Sequence, residues 1–457
     1  MLGHESHHRR IPAWRRGPQP PHHFIDGEFL IAGWSLLAVL IRVPDPPRAC
    51  RVSLRRGSEF LYFFACSCHK IDLVVPTLLR SRTTLKHKDL ASFLGHRAKA
   101  DTRFAFDSVT ESQCWIVSDH LCKYCERVAG KFRLGLIGTG RHGGRYANHI
   151  IRDLPEVELA AIARRNPAEA ERQAQEYNCR AYTDFRELVA ARDVDAVVAV
   201  VPPTVHKAIV EAAAAERKPL LLEKPAAPNV AEGMEILTTA RRAGITVMVA
   251  QTLRYNGVVR CILEHLPEIG PVHSMRLGQR FEPSRPGWID DPAVAGGGML
   301  LHTGVHCFDL VRYLLKQEVA RVACEWSRVN VRRTEDNFAA VLRLQDDRTL
   351  ATIAGSRATG SRSGGIELAG EHGQLIGDHV LHSAVLVRGT ETRNLELPPP
   401  VPTVREVLRD FVRAVRSGAL VPIPLEEGLR AVAIVEACYR SAAEQCTVPV
   451  PALSYKI

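Results

Sequence analysis

The chain offers little to a membrane. Its apolar run Phe29–Ile41 is 13 residues long, short of the ~20 that an ordinary membrane-spanning helix needs. The same run would serve poorly as a secretory signal. Arg9, Arg10, Arg15 and Arg16 precede it, but no small-residue cleavage site follows, and the charged leader would be unusually long. Arg55-Arg56 ahead of Phe60–Cys66 does not complete a twin-arginine signal. A second lack is a charge excess in the main body. The formal net charge is +10, but residues 1–130 carry +7 of it and the remaining 327 residues only +3. A nearly balanced body argues against a nucleic-acid-binding surface as its purpose. The third lack is metal-ligand spacing among the 12 cysteines. Cys179, Cys261, Cys307, Cys324, Cys438 and Cys446 are scattered, as free thiols are in a reduced, cytoplasmic chain. Cys122-x-x-Cys125, with Cys66, Cys68, His69 and His120 upstream, matches no regular zinc pairing.

At 457 residues the chain has room for two domains and an additional segment. Residues 1–130 show neither a sustained helical period nor regular strand alternation, and are expected to form a poorly ordered extension. The organised sequence begins at Lys131. Arg133–Ile137 is a short apolar run, and Gly138, Gly140 and Gly143 follow in a G-x-G-x-x-G spacing that includes Thr139, Arg141 and His142. The first glycine permits a tight turn, the second lets a pyrophosphate approach, and the third lets a helix pack against the strand. The helix N-terminus then presents unpaired N–H groups to phosphate. Downstream, strand-like and helix-like segments alternate: 157–163, 167–177, 194–201, 206–216, 219–222, 229–243 and 246–250. That alternation predicts right-handed βαβ units around a parallel sheet, the setting in which the glycine spacing signifies dinucleotide binding.

The end of the second strand bears on which dinucleotide. An NAD site commonly carries Asp or Glu about 20 residues past the loop, against the ribose 2′-hydroxyl. Here the chain reads Ala163-Arg164-Arg165-Asn166. A guanidinium pairs with a 2′-phosphate that a carboxylate would repel, so NADP(H) is expected over NAD(H), with Arg164 and Arg165 as the clamp.

Three further motifs occur in order: Pro202-Pro203-x-x-His206 after a valine-rich strand, Glu223-Lys224-Pro225, and Gly296-Gly297-Gly298 leading into Gly304-x-His306-x-x-Asp309. With the glycine loop they resemble the Gfo/Idh/MocA family over essentially all of 131–457. The resemblance implies an N-terminal Rossmann doubly wound parallel sheet, 131–252, and a C-terminal α+β domain, 253–457, with an open, mostly antiparallel sheet. Segments 271–281, 319–331, 336–345, 348–356, 364–370 and 382–397 read as its strands, and 403–417 and 425–444 as closing helices. It also implies a homo-oligomer formed through that sheet.

Lys224 follows a buried strand at the edge where open α/β sheets bind ligands. Desolvation there can lower its pKa and fit it to acid–base work, the role of the matching family lysine. His302, His306 and Asp309 stand at i, i+4, i+7, on one face if the segment is α-helical. The resemblance makes His306 the proton-transfer histidine and Asp309 an orienting or substrate-binding residue. Where the family has an aspartate this chain has His302, which puts the proton relay in question. A metal held by His302, His306 and Asp309 is the competing reading; no further ligand cluster stands out. Gln251, Arg254 and Trp288 are expected to line the substrate cleft, and Pro202, His206 and Glu223 to shape the cofactor pocket. The expected function is hydride transfer between a nicotinamide and a carbonyl or secondary alcohol of a small sugar or polyol. The alternative is a nucleotide-sensing regulator of the same fold without turnover.

Overall fold

The computed structural model describes residues 130–283 and 287–453, together with backbone strands between 26 and 77. The chain divides into two units, Met1–Lys123 and Tyr124–Ile457. In the first, Asp26–Ile31 pairs antiparallel with Trp34–Val39, so the apolar run at 29–41 contributes to a hairpin. Ala49–Arg56, Glu59–Cys68 and Ile71–Thr77 form a three-stranded antiparallel sheet. Cys66 and Cys68 belong to its middle strand; His69, His120, Cys122 and Cys125 lie outside the described residues.

The second unit opens with six parallel strands: β1 Phe132–Ile137, β2 Val157–Ala163, β3 Arg180–Tyr182, β4 Ala196–Ala199, β5 Leu220–Glu223 and β6 Val247–Ala250. Their order across the sheet is 3-2-1-4-5-6, that of a dinucleotide-binding doubly wound fold. Every residue of β4, β5 and β6 is buried, because helices cover both faces of a parallel sheet. The helices are α1 Gly143–Asp153, α2 Pro167–Tyr177, α3 Phe185–Ala190, α4 His206–Ala215 and α5 Val230–Ala243. Their ends are written locally. Asn166 accepts from the Glu169 N–H at 3.0 Å to start α2 ahead of Pro167, and Asn229 does the same for α5 from Glu232 at 2.9 Å. Gly244 closes α5 with a left-handed φ of 66°.

Helix α6, Gly257–His265, leads into the second sheet: β7 Val272–Arg280, β8 Val319–Ser327, β9 Asn337–Leu344, β10 Leu350–Ser356, β11 Gly365–Gly370, β12 Gly373–Asp378, β13 Ser383–Arg388, β14 Glu391–Asn394 and β15 Val448–Pro449. The order is 14-13-12-11-7-10-9-8-15, with β7–β10 the one parallel pair among these strands. Two details differ from the sequence reading. The segment 382–397 is a hairpin of β13 and β14 turned at Gly389, whose φ is +56°, and β12 pairs with β11 through a tight turn at Glu371-His372.

Helix α7, Val305–Leu315, and the long α9, Leu425–Glu444, cover one face of this sheet. The other face is open: β9 alternates buried and exposed residues, and Val341, Leu350 and Ile376 are exposed. Helix α8, Thr403–Ser417, was assigned with the second domain from its position in the chain. It buries Val404, Val407, Leu408, Phe411 and Val412 in the core of the first. The chain therefore returns to the first domain after completing the second sheet. The carbonyl of Ile423 accepts from the Val249 N–H beside β6 at 2.9 Å.

Candidate functional site

The glycine loop is built by close contacts that only glycine allows. Gly138 has φ +86°, and a Cβ there would run into the Val200 carbonyl. A Cβ at Gly143 would strike the Gly138 carbonyl oxygen, so α1 starts hard against the turn. Gly140 faces open space, and no side chain caps the start of α1. A backbone cradle with an uncapped helix N-terminus fits the pyrophosphate of a dinucleotide. Beside it lies a depression of about 450 Å³ lined by Arg141, Arg145 and Arg164, with Gln173 at its base. Arg164 donates to the Thr139 carbonyl at 3.0 Å and to Gln173 at 3.2 Å, which draws its guanidinium onto the loop. Arg165 is exposed at the same strand end.

His142 and Tyr146 tie this loop to β5. Glu223, 5% exposed, accepts from His142 Nε2 at 2.8 Å, the Tyr146 hydroxyl at 2.6 Å and the Lys224 N–H at 2.9 Å. Burial would raise its pKa, but these donors and the Lys224 charge hold it down at about 2. The Lys224–Pro225 peptide is cis. Lys224 Nζ reaches out of the first domain to donate to the His302 carbonyl at 2.9 Å. Burial, and then the charge of Arg357, push the ammonium pKa below its ordinary value against the pull of Glu223.

His302 lies in a π-helical turn, Leu300–Gly304, ahead of α7. The turn interrupts the α-helical spacing, so His302, His306 and Asp309 do not share a face in the expected way; each is held by a different partner. Nε2 of His302 lies 2.9 Å from the Ala295 carbonyl, an acceptor that requires the ring to be N–H there. The ring packs edge-on to Trp288 at 5.6 Å. Burial, then the charges of Lys224 and Arg357, lower its pKa to about 3. His302 is thus a neutral, anchored ring. The Trp288 loop is pinned in turn by Asp290, which accepts from the N–H groups of Arg332, Arg333 and Thr334. Glu335 braces the turn from the other side, accepting from the N–H groups of Gly298 and Leu300 and from the Tyr439 hydroxyl. A side chain at Gly298 would collide with it.

His306 Nδ1 lies 3.1 Å from Gln251 Oε1. A hydrogen bond to that oxygen leaves the Nε2 lone pair available. Burial and the Lys224 charge drive the His306 pKa well below the ordinary histidine value, so the ring is neutral at neutral pH. Gln251 Nε2 is buried without a hydrogen-bond partner among the described residues. An orphaned donor beside His306 is consistent with a site that a ligand completes. His379, which holds Gln279 at 2.5 Å, also acts electrostatically on His306.

Arg254 and Asp309 do not line an open cleft. They form a buried two-point ion pair at 2.8 and 2.6 Å. Arg254 also meets Glu427 at 2.8 Å, and Glu427 meets Arg312. The network bolts the turn after β6 to α7 and α9, and so holds Gln251 opposite His306. His206 is fully buried, with Nδ1 3.2 Å from the Ala226 carbonyl. Its contribution is to the packing behind the Pro202 turn and the cis peptide. Among the described residues no three His, Cys, Asp or Glu side chains gather as a metal would require, and no helix is long and apolar enough to cross a membrane. The sequence does not single out Arg357, Thr303 and His379: Arg357 and His379 arrive from distant segments without a local motif, and Thr303 stands beside His302 in the turn with nothing in the spacing to mark it.

Residues 132–251 match the family model described as an oxidoreductase family with an NAD-binding Rossmann fold, and 263–450 match its C-terminal alpha/beta domain. The myo-inositol 2-dehydrogenase of Thermotoga maritima is 26% identical over 331 residues, covering 69% of this chain and 98% of that protein. The levoglucosan dehydrogenase complex with NADH and L-sorbose superposes with a TM-score of 0.64 at 22% identity, over 71% of this chain and all of that one. An oxidoreductase of Desulfitobacterium hafniense named as NADPH-dependent does so with a TM-score of 0.64 at 21% identity, over 70% and 98%. At those identities the structures establish the shared fold.

Proposed function

The chain belongs to the Gfo/Idh/MocA family of oxidoreductases, and from that premise we propose how its residues work. The reaction is hydride transfer between a nicotinamide dinucleotide and a secondary alcohol or carbonyl of a sugar or polyol. The observation that carries this reading is the meeting of Lys224, from the first domain, with the turn that immediately precedes His306 in the second. The bound nicotinamide supplies the hydride acceptor or donor at its C4. Lys224 Nζ donates to the reacting oxygen, where its desolvated charge stabilises developing alkoxide character. In the oxidation direction His306 Nε2 takes the hydroxyl proton, and in reduction returns it. Gln251 keeps the His306 ring in the tautomer that this requires.

The favoured cofactor is NADP(H) over NAD(H). What supports it is that β2 runs out into Arg164, Arg165 and Asn166, the last occupied in capping α2, and that Arg141, Arg145, Arg164 and Arg172 outnumber the Glu169 and Glu176 that line the same depression, Glu169 standing 3.7 Å from Arg164. Arg165 stands at its exposed rim. The open face of the second sheet supports self-association into a homo-oligomer. The test is a panel of sugars and polyols with NADP⁺ and NAD⁺, followed by reduced-nicotinamide absorbance in wild type and Lys224→Met. Turnover that the variant loses supports the reading. Tight cofactor binding with no turnover by any substrate refutes it in favour of a sensing role.

A further inference from the structure

The inner face of α2 buries Ala170, Gln173 and Ala174. The amide stands out between the alanines, because burying one is costly unless its donor and its acceptor are both met. Gln173 is 7% exposed and meets both. Its Nε2 donates to the Thr139 carbonyl at 3.1 Å. Its Oε1 accepts from the Thr139 hydroxyl and, at 3.2 Å, from Arg164 Nη1. The Thr139 carbonyl also accepts from Arg164 Nη1, at 3.0 Å. The amide has one orientation open to it, since a carbonyl only accepts and a guanidinium only donates. Thr139 of the glycine loop, Gln173 of α2 and Arg164 at the end of β2 thus close into a single ring of hydrogen bonds. Nη1 carries two hydrogens, and the ring takes both, which leaves the Nη2–Nε edge of Arg164 for other partners. Nη2 stands 3.7 Å from Glu169, beyond a hydrogen bond, and Glu169 is itself bonded to Arg172 at 3.0 Å. Thr139, Arg164 and Gln173 all line the depression beside the loop.

We propose that Gln173 is the positioning residue for cofactor choice: by holding Arg164 Nη1 against the glycine loop, it aims the Nη2–Nε edge at the ribose 2′-phosphate of NADP(H). This role rests on the NADP(H) reading above and adds to it the residue that aims the clamp. A guanidinium grips phosphate through two parallel N–H groups, so its orientation matters as well as its charge. An arginine on a loose tether has to be ordered when the cofactor arrives, at a cost in side-chain entropy. The ring orders Arg164 in advance. Glutamine suits the position because one neutral side chain must give a donor to Thr139 and an acceptor to Arg164 together. Glutamate there would set an acceptor against the Thr139 carbonyl and pair with Arg164, cancelling the charge that the phosphate needs. Methionine would fill the volume and supply neither bond. The start of α2 is fixed by Asn166, which accepts from the Glu169 N–H, and by Pro167, and this sets where Gln173 meets the loop.

The test is the Kd of the full-length protein for NADP⁺ and for NAD⁺, by fluorescence titration. It compares wild type, Gln173→Met, Gln173→Glu, Arg164→Ala and Gln173→Met made in Arg164→Ala, with thermal melts to show that each is folded. Gln173→Met is expected to raise the Kd for NADP⁺ by about tenfold, the range of one charge-assisted contact, and that for NAD⁺ much less. Gln173→Glu is expected to raise the NADP⁺ value further and to remove the preference. In the Arg164→Ala background Gln173→Met is expected to change both cofactors alike, because the residue through which Gln173 acts is gone. A further loss confined to NADP⁺ in that background overturns the action through Arg164. A Gln173 that only supports the fold would weaken both cofactors equally. A ratio of the two Kd values that Gln173→Met and Gln173→Glu leave unchanged, while Arg164→Ala still selects against NADP⁺, therefore overturns the proposal and leaves the NADP(H) reading standing. An Arg164→Ala protein that binds both cofactors as wild type does overturns both. If one Gln173 variant does not fold, the ratio in the other decides.

Discussion

Replacing Glu223 with glutamine tests the link between the cofactor loop and the reacting lysine. The carboxylate is buried, and all its identified donors come from the loop helix or from Lys224. The fall of its pKa from 4.5 to about 2 corresponds to about 3 kcal/mol of preference for the charged form. A glutamine of the same shape turns an N–H₂ towards one of these donors and loses most of that. The sign follows from proton linkage. The unfolded carboxylate binds a proton more readily than the folded one, so the contribution is complete above pH 4.5 and disappears as pH falls towards 2. Chemical denaturation of wild type and Glu223→Gln across that window is the assay. The variant is expected to be less stable by about 3 kcal/mol at neutral pH, with the two curves converging in acid. Curves that stay parallel from neutral pH to pH 3 would refute the account of Glu223 as the charged tie.

Four other expectations follow from the same geometry. Arg164→Ala should raise the Kd for NADP⁺ by about 10- to 100-fold, the range of a charge-assisted phosphate contact, and change NAD⁺ much less; equal effects in a fluorescence titration would remove Arg164 from the clamp. Asp309→Asn removes one of the two carboxylates that Arg254 meets, leaving Glu427 to face both Arg254 and Arg312, and should cost about 3 kcal/mol, the low end for a broken buried pair, while wild-type stability after Asn replacement would mean that the pair contributes nothing. Phe411→Ala should cost about 3–5 kcal/mol, because α8 fills the first core; a loss under about 0.5 kcal/mol, the usual limit for surface changes, would place the helix outside it. The low pKa of His306 keeps it a base below pH 6.5, so the oxidation rate under saturating substrate should show no inflection near that pH. An ordinary histidine titration there would mean that the ring is not desolvated.

Much of this architecture was legible because it is written in local patterns. The alternation from β1 to β6 and the glycine spacing depend on residues within one βαβ unit, and the family motifs singled out Lys224 and the turn before His306, which the fold brings together. What stayed hidden depends on distant contacts. Nothing near Phe411 says that its helix returns to the first core after the second sheet is complete. The i, i+4, i+7 spacing of His302, His306 and Asp309 assumes an unbroken α-helix, and the π turn at Leu300–Gly304 separates their roles. Asp309 looked available for substrate until Arg254, 55 residues earlier, proved to occupy it. Arg357 follows β10 with no motif around it, and only the fold brings it to Thr303.

The central claim is that Lys224 and His306 serve a hydride transfer. Single-turnover reaction of C4-deuterated NADPH with the keto form of a sugar or polyol, read by mass spectrometry of the product, tests it most directly. Deuterium on the new carbinol carbon in wild type, lost in Lys224→Met although the variant still binds the cofactor, is the predicted result. Unlabelled sugar recovered alongside fully retained, tightly bound NADPH would contradict it.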